Sequence, residues 1–325
     1  MKKATIKDIA KKLGIAHSTV SMVLNNRGPI SEKTKKKVLK MAEKMGYEPN
    51  LFARALKSGK TNKIAVVIQN FNSIFASNAL NAIENKIRTY GFDLSVYSID
   101  ANENILIKIL NEKLADGVIV ITISVPPDLI KEYDKKNIPL VLIEETANNF
   151  ANFAVILNNT KAGYTATEHL IKNGAKKIAL LSGPIEREYA FQRYNGFLLA
   201  LKNFNKKYYP NLTYQFKNHS FKDGIEAFHY LKNKKFDAVF SSGGDLVAAG
   251  FISEAIKYNL KPKRDFLIIG FDDISIAEAI DLTTVRQPFY EMGLKSLELL
   301  LDALKNNLKN KIITFEGELI IRNTT

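Results

Sequence analysis

Apolar positions along this chain follow two rhythms. The first sixty residues show helical spacing. Ile6, Ile9, Ala10 and Leu13 share one face, Thr5 and Asp8 stand where a capping box would, and Gly14 stops the run. A second short helix over 17–24 turns Val20, Val23 and Leu24 inward and leaves His17, Ser18, Ser21 and Met22 outward. Ser31 caps a third helix over 32–45, ended by Gly46. Two short helices around a tight turn read as a helix-turn-helix, whose second helix enters the DNA major groove. Apolar spacing alone also fits any small three-helix domain.

From Lys63 onward, short continuous apolar runs alternate with amphipathic stretches. The pattern predicts strands over 64–68, 93–98, 118–121 and 140–143, with helices over 76–90, 103–114 and 129–136 between them. The rhythm restarts near Val155. Helices over 161–173, 193–204, 224–231 and 247–258 then alternate with strands over 177–181, 214–216, 238–241 and 267–270. A strong helix over 289–304 and strands over 312–315 and 319–321 close the chain. Continuous apolar strands are buried on both faces, so the fold class is α/β: a helix-turn-helix head, then two doubly wound parallel-sheet lobes.

Composition sharpens this picture. Apolar residues make up 46% and charged residues 25%, an ordinary globular balance. With no cysteine, disulfides and cysteine metal sites are excluded. No apolar run reaches membrane-spanning length, and Asp8, Lys11 and Lys12 break up any secretory signal, which makes the cytoplasm the expected location. The net charge of +14 is lopsided: residues 1–60 hold 15 Lys or Arg against 4 Asp or Glu, while 61–325 hold 32 against 29. A lysine run can be no more than a solvated helix face, but a small domain carrying most of the charge reads as a phosphate-binding surface.

Three pieces at the N-terminus, Thr-Ile-Lys-Asp-Ile-Ala at 5–10, Ser-Thr-Val-Ser at 18–21 and Gly-Tyr-Glu-Pro-Asn…Ala-Arg-Ala-Leu at 46–56, resemble the lactose-repressor (LacI/GalR) family of bacterial transcription regulators. Later pieces match too, among them Asp116-Gly117-Val118-Ile119, Arg193-Tyr194-Asn195-Gly196-Phe197, Gly270-Phe271-Asp272-Asp273, Leu282-Thr283-Thr284-Val285-Arg286-Gln287-Pro288 and the closing Arg322-Asn323-Thr324-Thr325. The resemblance spans nearly the whole chain. It implies a DNA-binding head over 1–49, a hinge helix over 50–60 and an effector-binding, dimerising core over 61–325. Lobe 1 would hold about 61–158 and 289–315, lobe 2 about 159–288 and 316–325. The implied protein is a ligand-responsive repressor of sugar-utilisation genes, a homodimer on a palindromic double-stranded operator, with a sugar as its small-molecule effector and no membrane partner.

The DNA contacts it implies are Thr5, His17, Ser18, Thr19, Ser21, Met22, Asn25, Asn50, Ala53 and Leu56. Two departures stand out. Ala16 replaces the Ser expected to cap the recognition helix, and Met22 replaces the usual Arg, exchanging a bidentate guanine reader for an apolar contact. The segment 50–58 is apolar and too short to be a stable helix alone, so it reads either as a frayed linker with buried anchors or as a hinge that folds on DNA, in different states.

No nucleophile elbow, phosphate loop or dinucleotide fingerprint is present, and His17, His169, His219 and His229 are scattered, so neither an enzyme nor a cofactor is expected. Candidate effector contacts are Arg193 at the start of a helix, Asp272 at the end of a strand, Asp245 at a helix start after Gly243-Gly244, and Phe75, Tyr189 and Phe191 in loops after strands, any of which could stack on a sugar ring. Asp245 reads more readily as a plain helix cap, and Gly244 stands where most members carry a polar amide. The contrasting reading, a solute-binding module for transport, has no use for the basic head.

Overall fold

In the computed structural model the described residues are 4–24, 28–47, 60–71, 73–99, 104–147, 149–306 and 310–325. They form two units, Met1–Thr61 and Asn62–Thr325. In the first, α1 (Ile6–Leu13), α2 (His17–Leu24) and α3 (Glu32–Lys44) enclose a small core of Ile9, Ala10, Val20, Val23, Val38 and Ala42. The capping box at α1 is formed in full by Thr5 and Asp8, and the helix ends at Gly14 in the left-handed conformation. The Ser31 side chain accepts from Thr34 N at the start of α3. At α2 the carbonyl of Ala16 accepts from Thr19 and Val20, and the methyl side chain adds nothing.

The second unit follows the expected alternation. Its elements are β1 (Lys63–Ile68), α4 (Ile74–Ile87), β2 (Asp93–Ser98), α5 (Ile105–Glu112), β3 (Gly117–Ile121), α6 (Pro127–Lys135), β4 (Leu140–Ile143), β5 (Phe153–Leu157), α7 (Asn159–Lys172), β6 (Ile178–Ser182), α8 (Glu188–Asn203), β7 (Thr213–Gln215), α9 (Phe221–Leu231), β8 (Ala238–Ser241), α10 (Asp245–Lys257), β9 (Leu267–Asp272), α11 (Ser275–Ala279), β10 (Thr283–Arg286), α12 (Phe289–Asn306), β11 (Lys311–Phe315) and β12 (Glu318–Ile320). They build two six-stranded sheets, in the orders β11-β5-β4-β3-β1-β2 and β12-β10-β9-β8-β6-β7. All pairings are parallel except β10 with β12.

Period-two alternation explains why the strands are apolar throughout. Ile64, Val66 and Ile68 face α4 and α12, while Ala65 and Val67 face the layer that holds α5 and α6. The second sheet divides likewise, with Ala179, Leu181 and Val239 toward α9 and α10, and Leu180, Phe240 and Phe271 toward α7 and α8. The chain passes between sheets after Leu157, after Arg286 and after Phe315.

The strands β5 and β10 and the short helix α11 have no counterpart in the sequence pattern. The strand β10 was hidden by Thr283 and Thr284, which are fully buried because their hydroxyls are bonded: Thr283 to Arg322 O and Thr284 to Asp245. And α8 begins at Glu188, five residues ahead of the expected start at Arg193, so Arg193 lies in the second turn.

Candidate functional site

In α2, His17 and Ser18 are exposed, while Thr19, Ser21 and Met22 are half-buried. The Met22 sulfur lies beside Gly28, 3.0 Å from where a Cβ on that glycine would sit. Thr5 donates its N–H (2.9 Å) and its hydroxyl (2.7 Å) to the Asp8 carboxylate, so both of its donors are used inside the capping box rather than offered to a phosphate. The remaining DNA-contact candidates, Asn25, Asn50, Ala53 and Leu56, lie outside the described residues.

The second site gathers at the carboxyl ends of the strands, where the two lobes meet. Packing between α7 and α8 sets it up. A Cβ on Gly196 would stand 2.1 Å from Thr160 O, and one on Gly163 2.4 Å from Arg193 O, so only bare backbone permits this approach. The approach brings Arg193 to Asn159 at the head of α7. Arg193 donates from Nε to Asn159 Oδ1 (2.7 Å) and from Nη1 to Ser242 O (2.9 Å), and its guanidinium lies 3.6 Å from the centre of the Phe271 ring. Its Nη2 is 3.9 Å from Glu144 Oε2 on the opposite lobe. Glu144 in turn accepts from Leu157 N and from Asn159 Nδ2 (2.9 Å). Burial pushes the Glu144 carboxyl above its usual range, with Arg193 opposing.

The backbone here is unusual. Thr122, Glu144, Asp272 and Asp273, all at or just past strand ends, have φ of 55°, 59°, 107° and 56°. Such conformations cost about 1–3 kcal/mol each and persist where surrounding contacts over-determine them. Asp273 is held by Arg322 Nη2 (2.7 Å) and Arg286 Nε (2.8 Å). Asp272 Oδ1 accepts from Gln287 Nε2 (2.6 Å), and its Oδ2 leans over Gly244, 2.8 Å from where a Cβ would sit. At φ 120° Gly244 could hardly carry a side chain, and the carboxylate of Asp272 fills the space where one would begin. Burial raises the Asp272 carboxyl to about 6, with Arg193 working against it. Among the described residues the Oε1 of Gln287, only 6% exposed, has no hydrogen-bond partner.

Several candidates move on inspection. Asp245 is fully buried, accepting from Ile274 N (2.9 Å) and Thr284 Oγ1 (2.6 Å). It clasps α11 and β10 together and offers no oxygen to a ligand. Phe75, Tyr189 and Phe191 lie in helices, not loops. Phe75 packs edge-on against Phe289 (4.8 Å) in the core of the first lobe. Phe191, two residues from Tyr189 on α8, points roughly the opposite way and is 50% exposed. Tyr189 stays in the site, one helical turn from Arg193, with the guanidinium 5.2 Å from its ring centre.

Sequence reasoning missed His219, Glu144 and Gln287. His219 Nδ1 donates to Gly243 O (2.8 Å), which leaves Nε2 to accept from the Tyr189 hydroxyl (3.2 Å). Burial lowers its pKa, so the ring is neutral. The available signals were acidic residues directly after a buried strand, at Glu144-Glu145, and a histidine just past β7.

Residues 61–311 match the family described as periplasmic binding proteins and sugar binding domain of the LacI family, and residues 5–50 match the bacterial regulatory proteins of the lacI family. The chain belongs to the LacI family. It is 31% identical to the HTH-type transcriptional regulator RegA of Clostridium saccharobutylicum, with 99% of each chain covered. It is 30% identical to the HTH-type transcriptional repressor PurR of Vibrio vulnificus, covering 99% of this chain and 98% of that one. A solved structure of the lac repressor dimer bound to operator and the anti-inducer ONPF superposes with a TM-score of 0.86 at 22% identity, over 100% of this chain and 99% of that one, a likeness of fold. As a LacI-family member the chain is a DNA-binding transcriptional regulator with a ligand-binding domain, and not an enzyme. Among the described residues no helix is long and apolar enough to cross a membrane.

Proposed function

We propose that this LacI-family chain represses transcription as a homodimer on a palindromic operator, and that a sugar held between the lobes changes its grip on DNA. The observation carrying the effector half is the set of groups that converge near the strand ends: the buried Arg193, the half-buried Asp272 with its Oδ2, and Gln287 Oε1, which has no hydrogen-bond partner among the described residues. Asp272 and Gln287 are acceptors and Arg193 is a fork of donors, the complement that adjacent sugar hydroxyls require. Tyr189 and His219 supply flat faces beside them. Arg193 is already engaged by Asn159, Ser242 and Glu144, so a ligand exchanges with these contacts and thereby alters how the lobes meet. It drives the change only through unequal affinity for the two arrangements. The DNA half rests on the basic head and on the exposed His17 and Ser18, with 50–60 as hinge helix and Leu56 as a wedge in the minor groove. This reading implies the cytoplasm, where the operator is.

The test begins with duplexes selected by the full chain from a random pool. They should be palindromic, with half-sites roughly one DNA turn apart, and binding should fall steeply with salt. A panel of neutral mono- and disaccharides is then titrated calorimetrically against the parent and Asp272→Ala. The variant should bind DNA as the parent does while its sugar affinity drops about tenfold or more, as loss of a charged hydrogen bond of on the order of 1.5–3 kcal/mol requires. Salt-insensitive, unselective DNA binding would point instead to a solute-binding module.

A further inference from the structure

A second set of contacts crosses between the lobes beside Arg193. The loop after β4 presents Glu145, Thr146 and Ala147 to the first turn of α8. Thr146 donates its N–H to Glu188 Oε2 (2.9 Å) and its hydroxyl to Glu188 Oε1 (2.7 Å). Gln192 Nε2 adds a third donor to Glu188 (3.1 Å). Glu145, 7% exposed, accepts at Oε1 from Ala147 N (2.9 Å), and its carboxyl lies within hydrogen-bonding reach of the Glu188 carboxyl. Two carboxylates in contact repel each other when both are ionised, and among the described residues no ion pair with a cation relieves either. Three donors and the N-terminal end of α8 suit Glu188 to accept, which leaves Glu145 to carry the hydrogen.

We propose that closing the lobes on each other takes up one proton, held by Glu145 and shared with Glu188, so that the closed arrangement is a latch sensitive to pH. The charged groups nearest in the chain to this contact are Glu144 beside Glu145, and Glu186, Arg187 and, one turn on, Arg193 beside Glu188. Glu188 itself is the one that acts on Glu145. The charge of Arg187 falls on Tyr189 and His219, and that of Arg193 on Glu144 and Asp272. Burial and Glu188 together raise the Glu145 carboxyl to about 7 in the closed form. Opening returns it to water and to the ordinary carboxylate range near ~4.3. The sign follows: the closed form binds the proton more tightly, so closure is favoured below neutrality and loses ground as pH rises through about 7. An effector that prefers the closed form binds more tightly toward acid by the same linkage. The latch itself does not depend on what the effector is.

The absence of cysteine makes the test direct. Lys131→Cys on α6 and Lys222→Cys on α9, both exposed and on different lobes, accept spin labels, and pulsed electron paramagnetic resonance reads the distance between them in the full chain with no ligand or DNA. From pH 6 to pH 8 the ratio of open to closed molecules should rise about tenfold. Glu145→Gln, whose amide donates to Glu188 without titrating, should stay closed at both pH values. Glu188→Gln should weaken the pH dependence without abolishing it, because burial still holds the Glu145 carboxyl above its ordinary range. A parent with the same distances at pH 6 and 8, or a Glu145→Gln variant that opens as the parent does, overturns the proposal. Failure of the sugar reading would leave these outcomes untouched.

Discussion

The face of α2 and the inter-lobe cleft are both built of polar side chains, and they are built in opposite ways. On α2, His17 and Ser18 stand in solvent on a helix held by a core of six buried apolar residues. In the cleft, Arg193, Glu144 and Gln287 are no more than 6% exposed, and their partners come from elements far apart in the chain. The difference suits the two tasks. A reader of base edges must stay solvated until its target arrives, and its specificity is in the choice of side chain. A group that reports ligand binding must already be engaged, so that a newcomer has something to displace.

The sharpest separation between the two regions should come from Arg193→Ala. It leaves Glu144 buried without its counter-charge, which destabilises by about 3–5 kcal/mol. Chemical denaturation of the full chain should show the core transition at much lower denaturant while the head transition stays in place. If the core transition does not move, the buried pair contributes nothing and the cleft is no more tightly engaged than the face of α2.

A smaller effect belongs to Asp272. Its folded pKa, about 6, is above the unfolded value, so its contribution to stability is fully present below the unfolded pKa and is lost as pH rises through about 6. Between pH 4 and 7 the core should lose about 1–2 kcal/mol to this group, and Asp272→Asn should remove that part of the profile. The check is the difference between the two stability curves, in which other titrating groups cancel. A flat difference would mean that Asp272 is as well solvated as an ordinary surface carboxylate.

The smallest effect is expected in the head, where stability and recognition should come apart. Thr5→Ala removes the capping box and should cost about 1 kcal/mol of head stability. His17→Ala should change stability by less than about 0.5 kcal/mol yet weaken binding to a selected operator. Thermal unfolding of the head and operator titration, run on both variants, make the comparison. A His17→Ala protein that binds operator normally removes that residue from the reading surface.

The doubly wound lobes were legible because strands covered on both faces must be apolar throughout, as Ile64–Ile68 and Gly117–Ile121 are. So was the head, since caps at Thr5, Gly14 and Ser31 are written in single residues. Arg193 and Asp272 were singled out by their places on the family pattern, and the structure brings them into one cluster, although Arg193 was set at the wrong point in its helix, because no cap residue announces the start at Glu188. Asp245 was misjudged because its partners, Ile274 and Thr284, lie 29 and 39 residues away. Gln287 and His219 were missed for the same reason. Their meaning depends on which loops converge, and that is a property of topology rather than of any local pattern.

The two sheets also constrain how the chain is made. Most of the first sheet, from β1 to β5, is synthesised by residue 157, but its edge strand β11 and the helix α12 that covers one face come only after residue 288. Ile119, Ile121, Val141 and Ile143 therefore wait for Met292, Leu297 and Leu300 while the whole second sheet is being translated. Contacts of such long sequence separation form late and leave apolar surface open on the way. At the ribosome the head can fold on its own within the first sixty residues. The first lobe is begun early and completed nearly last, and through most of translation one face of its sheet lacks the helix that covers it.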